Sequence, residues 1–318
     1  MAVPSCSLSI MVARTDLPFM MHTIPHLIRS CNFPFVERVL FVDTAPLSGD
    51  KVQRPGVGTI EQLRVACQTL LDRGLVDRLV DMDYNQRPSV YRKHFGWPLP
   101  HTHNWKGYPI FGSLYALEAI AGDYLLHFDS DMMLYQKPGH DWISEGVALL
   151  QARSDVVAVR PLTGPPAGSM HQVKPFDRDP DGFYRFKFFS SRAFLIDRAR
   201  FDRLLPWPIL WHRSPRPWFD RLPAIVRTAV YGTTGRGRLD SWELMVSQRL
   251  ESGDWWRAVL PSADAWTVHP NLRSPEFLAA LPQILAKIEQ GWYPPEQAGQ
   301  YDLQIAPWLA ALADRPEA

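Results

Sequence analysis

The chain has 318 residues, 46% of them apolar and 21% charged, and its 34 Lys plus Arg nearly balance 33 Asp plus Glu, for a formal charge of +1. These are the proportions of a globular protein, long enough for one large α/β domain with an extension or for two smaller ones. The balance of charge gives no electrostatic footprint for a nucleic-acid partner.

The three cysteines, Cys6, Cys31 and Cys67, have no CxxC spacing. That argues against a disulfide framework or a zinc cluster and for a reducing, cytoplasmic setting. The first 30 residues lack the charged start and apolar run of a leader peptide. No stretch reaches membrane-helix length, so any membrane contact would be peripheral. The 29 prolines and 12 tryptophans point to long ordered loops with aromatic surfaces.

In chain order, Ser7 to Ala13 predicts a strand, and Met20 to Cys31 has helical spacing, with Pro25 a natural helix start. Val36 to Val42 predicts a second strand, closed by Asp43. Residues 44–58 read as loop, Thr59 to Arg73 as an amphipathic helix stopped by Gly74, and Leu75 to Met82 as a third strand. This alternation is that of a parallel α/β sheet. Tyr84 to Pro109 reads as a Pro/His/Trp-rich loop, and Gly107 to Ala121 as a helix. Within that loop His101-x-His103 has metal-like spacing but no third partner, and it reads as a loop feature.

Tyr124 to Phe128 predicts a buried strand running into Asp129-Ser130-Asp131. Ligands of open α/β sheets bind beyond the carboxyl ends of strands, and alternate residues of an extended chain face the same way. Both carboxylates would then reach one hard cation, Mg²⁺ or Mn²⁺. The plain alternative is a polar strand exit, where Asp and Ser are ordinary turn residues.

Further on, Trp142 to Arg153 predicts a helix, Asp155 to Arg160 a strand, and Leu162 to Pro180 a long loop. Phe183 to Ile196 reads as extended, Asp197 to Leu205 as a short helix, and 206–238 as loop. Leu239 to Glu251 predicts a helix with Asp240 as N-cap and Glu243 three residues on, an acidic form of the capping box. Short strands follow at Ala258 to Leu260 and Ala265 to Val268, and helices at Pro275 to Gln290 and Gln304 to Ala313.

Taken together, these pieces resemble a glycosyltransferase of the GT-A fold, most like the large family 2 of inverting enzymes, over roughly residues 7–270. The motifs that carry the resemblance are Ala13-Arg14-Thr15 after the first strand, Val42-Asp43 after the second, Asn104-Trp105-Lys106-Gly107 leading to Tyr124-Leu125-Leu126, and Asp129-Ser130-Asp131 itself. The implied fold is a Rossmann-like, mostly parallel sheet flanked by helices. Its catalytic domain would span 1–270, with a nucleotide-binding half to about 135 and an acceptor half after it; 271–318 would be a C-terminal helical extension.

The resemblance also implies roles. Ala13, Arg14, Thr15, Asp43, Lys106, Asp129 and Ser130 would bind the nucleotide. Asp131, with Asp129 and His269, would hold Mn²⁺ or Mg²⁺, and the ion would neutralise the departing diphosphate as a Lewis acid. Ser190, Ser191, Arg192 and Trp242 would line the sugar and acceptor. A carboxylate must take the acceptor's proton: the helix-start position points to Asp240, the count back from Arg249 to Glu243, and the choice stays open. Ordinary structure is an alternative for several of these: a turn histidine at 269, a cap at 240, core packing at 242.

The expected reaction is metal-dependent transfer from a nucleotide-diphosphate sugar to an acceptor hydroxyl, with the inversion that the resemblance implies. UDP is the first expectation, from family frequency alone. The acceptor (glycan, lipid-linked or small molecule) and the oligomeric state are not written in the sequence. A haloacid dehalogenase-type phosphatase would place its Asp-x-Asp on the first strand, with Thr or Val where Met133 stands. A nucleotidyltransferase would want a glycine-rich basic loop after the first strand, which 13–20 lacks. Beside the nucleotidyltransferase, an inactive sugar- or nucleotide-binding module is the other alternative, since fold does not imply function.

Overall fold

The computed structural model describes residues 5–167, 174–214 and 217–313. Cys6–Val12 (β1) is buried along its whole length. Its side chains alternate, with Leu8, Ile10 and Val12 entering one core and Met11 the other, as the two-residue period of a strand requires. In chain order there follow Met20–Cys31 (α1), Glu37–Val42 (β2), Ile60–Asp72 (α2), Arg78–Asp81 (β3), Arg87–Phe95 (α3), Phe111–Ala119 (α4) and Tyr124–Asp129 (β4). After them come Met133–Gln136 (β5), Trp142–Ala152 (α5), Val156–Arg160 (β6), Leu162–Thr163 (β7), Asp177–Arg178 (β8), Tyr184–Phe186 (β9), Ala193–Asp197 (β10) and Arg198–Asp202 (α6). The described residues end with Ala224–Thr234 (α7), Trp242–Glu251 (α8), Trp256–Val259 (β11), Ala265–Val268 (β12), Pro275–Glu289 (α9) and Ile305–Ala313 (α10).

Among the described residues, nine strands form one sheet in the order β3-β2-β1-β4-β10-β6-β11-β9-β8. Only β9 and β10 run against the others, so the sheet is mostly parallel, as expected. The chain moves outward from β1 to β3 and returns on the other side of β1 as β4. The carboxyl ends of β1 and β4 therefore flank a topological switch point, where open sheets bind ligands. Side chains of α1, α2 and α5 pack on one face of the sheet, and those of α3, α4 and α8 on the other. A second sheet, β5-β12-β7, carries α9 and α10 on a third cluster that includes Phe19, Trp266 and Trp308.

Several elements depart from the sequence reading. α1 starts at Met20, with Pro25 inside the helix; Met20 and Ile24, ahead of the proline, are buried in the same core cluster as β1, and this burial outweighs the missing N–H of the proline. The stretch read as loop at 84–109 contains α3, which buries Val90, Tyr91, His94 and Phe95. The loop at 206–238 contains α7, and β5 has no counterpart in the sequence reading. The extended run at 183–196 is two strands, β9 and β10, on different neighbours. The long loop after Leu162 holds β7 and β8, and residues 168–173 of it lie outside the described residues.

Candidate active site

The acidic motif straddles a strand end. β4 stops at Asp129, and Ser130-Asp131 turn into β5, closed by the Met132 N–H donating to the Asp129 carbonyl at 3.1 Å. The expected two-residue alternation therefore does not place Asp131; the turn does. The Asp129 side chain is 44% exposed and that of Asp131 only 6%. Desolvation in the cleft pushes the Asp129 carboxyl up, but the His127 ring at 3.5 Å, then Arg192 and His269, outweigh it and hold it below its ordinary value. Ser130 donates its hydroxyl to Asp16 Oδ2 (3.0 Å), and the same oxygen accepts the Ala13 N–H (2.9 Å). Asp16 thus stitches the end of β1 to the acidic turn.

Asp131 Oδ1 is buried without a partner. Asp131 Oδ2 is in ion-pair contact with the Arg273 guanidinium and lies 3.6 Å from His269 Nε2. His269 is fixed from behind. Its N–H donates to the Tyr301 carbonyl (3.0 Å), and its carbonyl accepts the Leu303 N–H (2.8 Å). Its ring stacks on Tyr301, and Nδ1 faces Asp302 Oδ1 at 3.8 Å. A carboxylate behind an imidazole is a common way to orient a metal-binding histidine. Burial pushes the Tyr301 phenol up, but Arg160, His269 and Arg192 around it outweigh that and bring it below its ordinary value.

The opposite wall is the start of α8. The N-cap is Ser241, whose Oγ accepts the Leu244 N–H at 3.3 Å. Asp240, expected as the cap, sits one residue earlier, and its Oδ1 accepts the Ser241 N–H at 2.9 Å. The carboxylate of Glu243 is hydrogen-bonded through Oε2 by the Ser191 N–H (2.9 Å) and hydroxyl (3.2 Å). Burial nevertheless raises the Glu243 pKa above its ordinary value. Burial disfavours the charge of Arg192, but Tyr301, Asp129, Glu243 and Asp302 around it keep it firmly protonated. Trp242 is 3% exposed, with its ring packed among Phe189, Phe194 and Trp207. Core packing, not a sugar face, accounts for most of that ring.

At the far end stands Asp43. Its carboxylate accepts the Tyr84 hydroxyl (2.6 Å), the Ala45 N–H (3.0 Å) and His103 Nε2–H (2.9 Å). Burial alone would raise its pKa, but His103, Lys51 and Tyr84 bring it down to about 2. His103 is therefore engaged by Asp43, while His101 Nε2–H donates to the Gly237 carbonyl at 2.7 Å; both rings join loops. Asn104 Oδ1 accepts the N–H groups of Lys106 (3.0 Å) and Tyr108 (2.9 Å). Gly107 has a φ of +84°, and a Cβ there would collide with the Ser48 carbonyl; that close approach fixes the loop carrying Lys106 against residues 48–50.

These walls enclose a cavity of about 730 Å³. Of the residues expected from the sequence, Ala13, Asp43, Lys106, Asp129, Ser130, Asp131, Ser191, Arg192, Asp240, Trp242, Glu243 and His269 line it. Arg14, Thr15 and Ser190 do not: Thr15 and Ser190 are buried, and Arg14 lies in the short turn after β1. The sequence reading missed Asp16, Lys51, Arg54, Asn271 and Arg273 on the wall, and Tyr301 and Asp302 behind it. The run His269-Pro270-Asn271-Leu272-Arg273 does carry a signal for the arginine, which follows the histidine within one short turn. Nothing in the spacing announces Asp302.

The donor chemistry of the acidic turn suits a divalent ion. Two atoms bound at about 2.1 Å to one cation lie roughly 3 to 4 Å apart, and Asp131 Oδ2 and His269 Nε2 have that separation. Among the described residues no group of three or more His, Cys, Asp or Glu is placed to hold a metal, so an ion here would draw its other ligands from a bound oxygen-rich molecule.

No protein-family model matches the chain, and no curated protein sequence does. Among solved structures it is similar to GalNAc-T7 with UDP, GalNAc and Mn²⁺, at 14% identity and a TM-score of 0.48, over 84% of this chain and 44% of that one. It is also similar to Staphylococcus aureus TarS 1–349 in complex with UDP-GlcNAc, at 12% identity and TM-score 0.43, over 89% of this chain and 66% of that one. A third is the mannosyltransferase PcManGT from Pyrobaculum calidifontis in complex with GDP-Man and Mn²⁺, at 13% identity and TM-score 0.37, over 65% and 48%. The chain thus spans less than half of the GalNAc-T7 chain. All three scores are below 0.5, so the case for function lies in the cavity itself.

Proposed function

We propose that the protein transfers a sugar from a nucleotide-diphosphate donor to an acceptor hydroxyl, with a divalent ion at Asp131 and His269. The observation that carries this reading is the buried Asp131 carboxylate, whose Oδ1 has no partner and whose Oδ2 lies 3.6 Å from His269 Nε2, just past the carboxyl end of β4 in the cavity that Glu243 also lines. When bound, the ion would neutralise the charge that grows on the departing diphosphate. Lys51, Arg54, Lys106 and Arg273 supply further positive charge along the same wall.

Glu243 is the base in this reading. It lines the cavity, Ser191 orients it, and its raised pKa brings it nearer to neutral pH, which suits proton abstraction. Asp240 remains the alternative at the mouth of the same helix. The outcome would be inversion if Glu243 acts on the acceptor directly, and UDP stays the first donor to test. Asp43, with three protein donors already on its carboxylate, serves the base end by holding His103 and Tyr84. We also propose that residues 271–318, an extension of the catalytic unit at 1–270, complete the site through Arg273, Tyr301 and Asp302.

A second reading rests on the ion pair between Arg273 and Asp131: Arg273 itself would meet the diphosphate, and no metal would be required. A thermal-shift series with UDP, GDP and dTDP, each with and without Mn²⁺, separates the two. A ligand at a hundred times its dissociation constant stabilises by about 2.7 kcal/mol. Stabilisation by nucleotide that needs Mn²⁺ supports the first reading; an equal shift in chelator supports the second; no shift with any nucleotide contradicts both.

A further inference from the structure

The segment from Pro206 to Arg238, at the rim of the cavity, has six arginines (213, 216, 221, 227, 236 and 238) and a single acidic residue, Asp220. Outside it the chain has 28 basic and 32 acidic residues. A nearly neutral protein thus gathers its excess positive charge in about a tenth of its length.

The same segment turns apolar side chains outward. α7 buries only Thr228, whereas Ile225 is 72% exposed, Val226 41% and Val230 38%, and Trp218 just before the helix is 58% exposed. Helices of globular proteins turn their apolar stripe to the core. Here Val226 and Val230, one turn apart, lie on the outer side with Ile225 next to them. Arg213, Arg221 and Arg236 of the same segment are exposed, the last two just before and just after α7 in the chain. Arg227 is paired with Asp220 at 3.9 Å, and the Arg238 guanidinium lies over the Trp105 ring at 5.0 Å.

The inner side of the segment is firmly mounted. Trp211 Nε1 donates to Thr228 Oγ1 at 3.0 Å, and Tyr231 packs on Trp211 and Phe219. Backbone bonds from His212 to Arg238 (2.7 Å) and from Asp240 to Leu210 (2.9 Å) tie its two ends together beside α8. His212 stacks on Trp105 at 4.2 Å, and both line the cavity.

We propose that the outer face of α7, with Trp218, docks on an anionic phospholipid surface. Branched aliphatic and tryptophan side chains enter the boundary between headgroups and acyl chains, and arginines meet the negative surface potential. An acyl boundary alone would not call for the arginines, and an acidic partner alone would not call for the bare aliphatic face. Docking brings the rim of the cavity to the bilayer. It stands on the patch itself and does not depend on the transfer reading; where both hold, the acceptor hydroxyl is presented from the membrane.

The test is co-sedimentation of the full chain with vesicles of phosphatidylcholine alone and of phosphatidylcholine mixed with phosphatidylglycerol. Partitioning is expected to be at least roughly tenfold stronger on the mixture and to weaken as salt is raised. The triple variant Arg213→Gln/Arg221→Gln/Arg236→Gln is expected to lose roughly a hundredfold, at about fivefold per arginine. Ile225→Ser/Val226→Ser/Val230→Ser is expected to lose vesicle binding while keeping the wild-type melting temperature. Wild-type protein that stays in the supernatant with both vesicles overturns the proposal, and so do variants that bind like the wild type. Self-association in sedimentation velocity that the serine variant abolishes, with no vesicle binding, assigns the face to a second copy and overturns it too.

Discussion

Replacing Glu243 with glutamine keeps the shape of the side chain and an oxygen to accept from Ser191, whose N–H and hydroxyl lie 2.9 and 3.2 Å from Oε2. Only the proton-accepting charge is lost. A positioned base contributes about 10²- to 10⁴-fold to a proton transfer, so Glu243→Gln should lower kcat by that range with little change in KM for the donor. Because burial disfavours the Glu243 charge, the variant should be no less stable than wild type. The wild-type rate should rise with pH through a range above that of ordinary carboxylates, as Glu243 loses its proton, and the variant should lack this rise. The sign for stability is opposite: a carboxyl with a raised folded-state pKa favours folding at low pH, and this contribution fades as pH climbs through that raised value. The assay is release of nucleoside diphosphate from the donor, followed across pH, with thermal melts in parallel. Asp240→Asn should cost much less. A Glu243→Gln enzyme within tenfold of wild type, beside an Asp240→Asn enzyme down a hundredfold or more, would refute the assignment and make Asp240 the base.

Asp43 is buried with its pKa near 2 against 3.8, so its ionised form should contribute about 2 kcal/mol of stability at neutral pH. For a depressed carboxyl this contribution is present above the unfolded value and fades as pH falls toward 2; urea melts of Asp43→Asn should show the deficit at pH 7 and its disappearance in acid. Arg273→Ala removes the cation paired with Asp131, and under the metal reading should tighten Mn²⁺ binding in the absence of nucleotide, measured as free Mn²⁺ by electron paramagnetic resonance; under the arginine reading it should instead abolish nucleotide binding. Leu281→Ala empties a fully buried position under the second sheet and should cost about 2 to 5 kcal/mol in chemical denaturation.

The parts of the fold legible in the sequence were those whose burial is local and periodic. β1, β2 and α2 show it plainly: an apolar run closed by polar residues, and a Thr59–Gln62 capping box at the helix start. α3 escaped because proline, arginine and lysine hide the four positions it buries, and α7 escaped because Ile225, Val226 and Val230 face outward, leaving Thr228 and Tyr231 on the inner side. In the candidate site, the acidic turn could be found because motif order places it, whereas motif order left Asp240 and Glu243 as alternatives. Tyr301 and Asp302 could not, because they come to lie behind the cavity wall only when residues 301–303 close on His269; Arg273 carried a signal only through its place four residues after that histidine. The capping box expected from Asp240 failed for a nearer reason: Ser241, one residue on, caps the helix with its own hydroxyl.

Anomalous scattering from crystals of the protein soaked with Mn²⁺ and UDP addresses the cation most directly. The expected result is one strong manganese peak within about 2.2 Å of both Asp131 and His269 Nε2, with Arg273 withdrawn from the carboxylate and the diphosphate on the open side of the ion. Diphosphate bound against Arg273 with no manganese at Asp131, or manganese bound elsewhere in the chain, would contradict it.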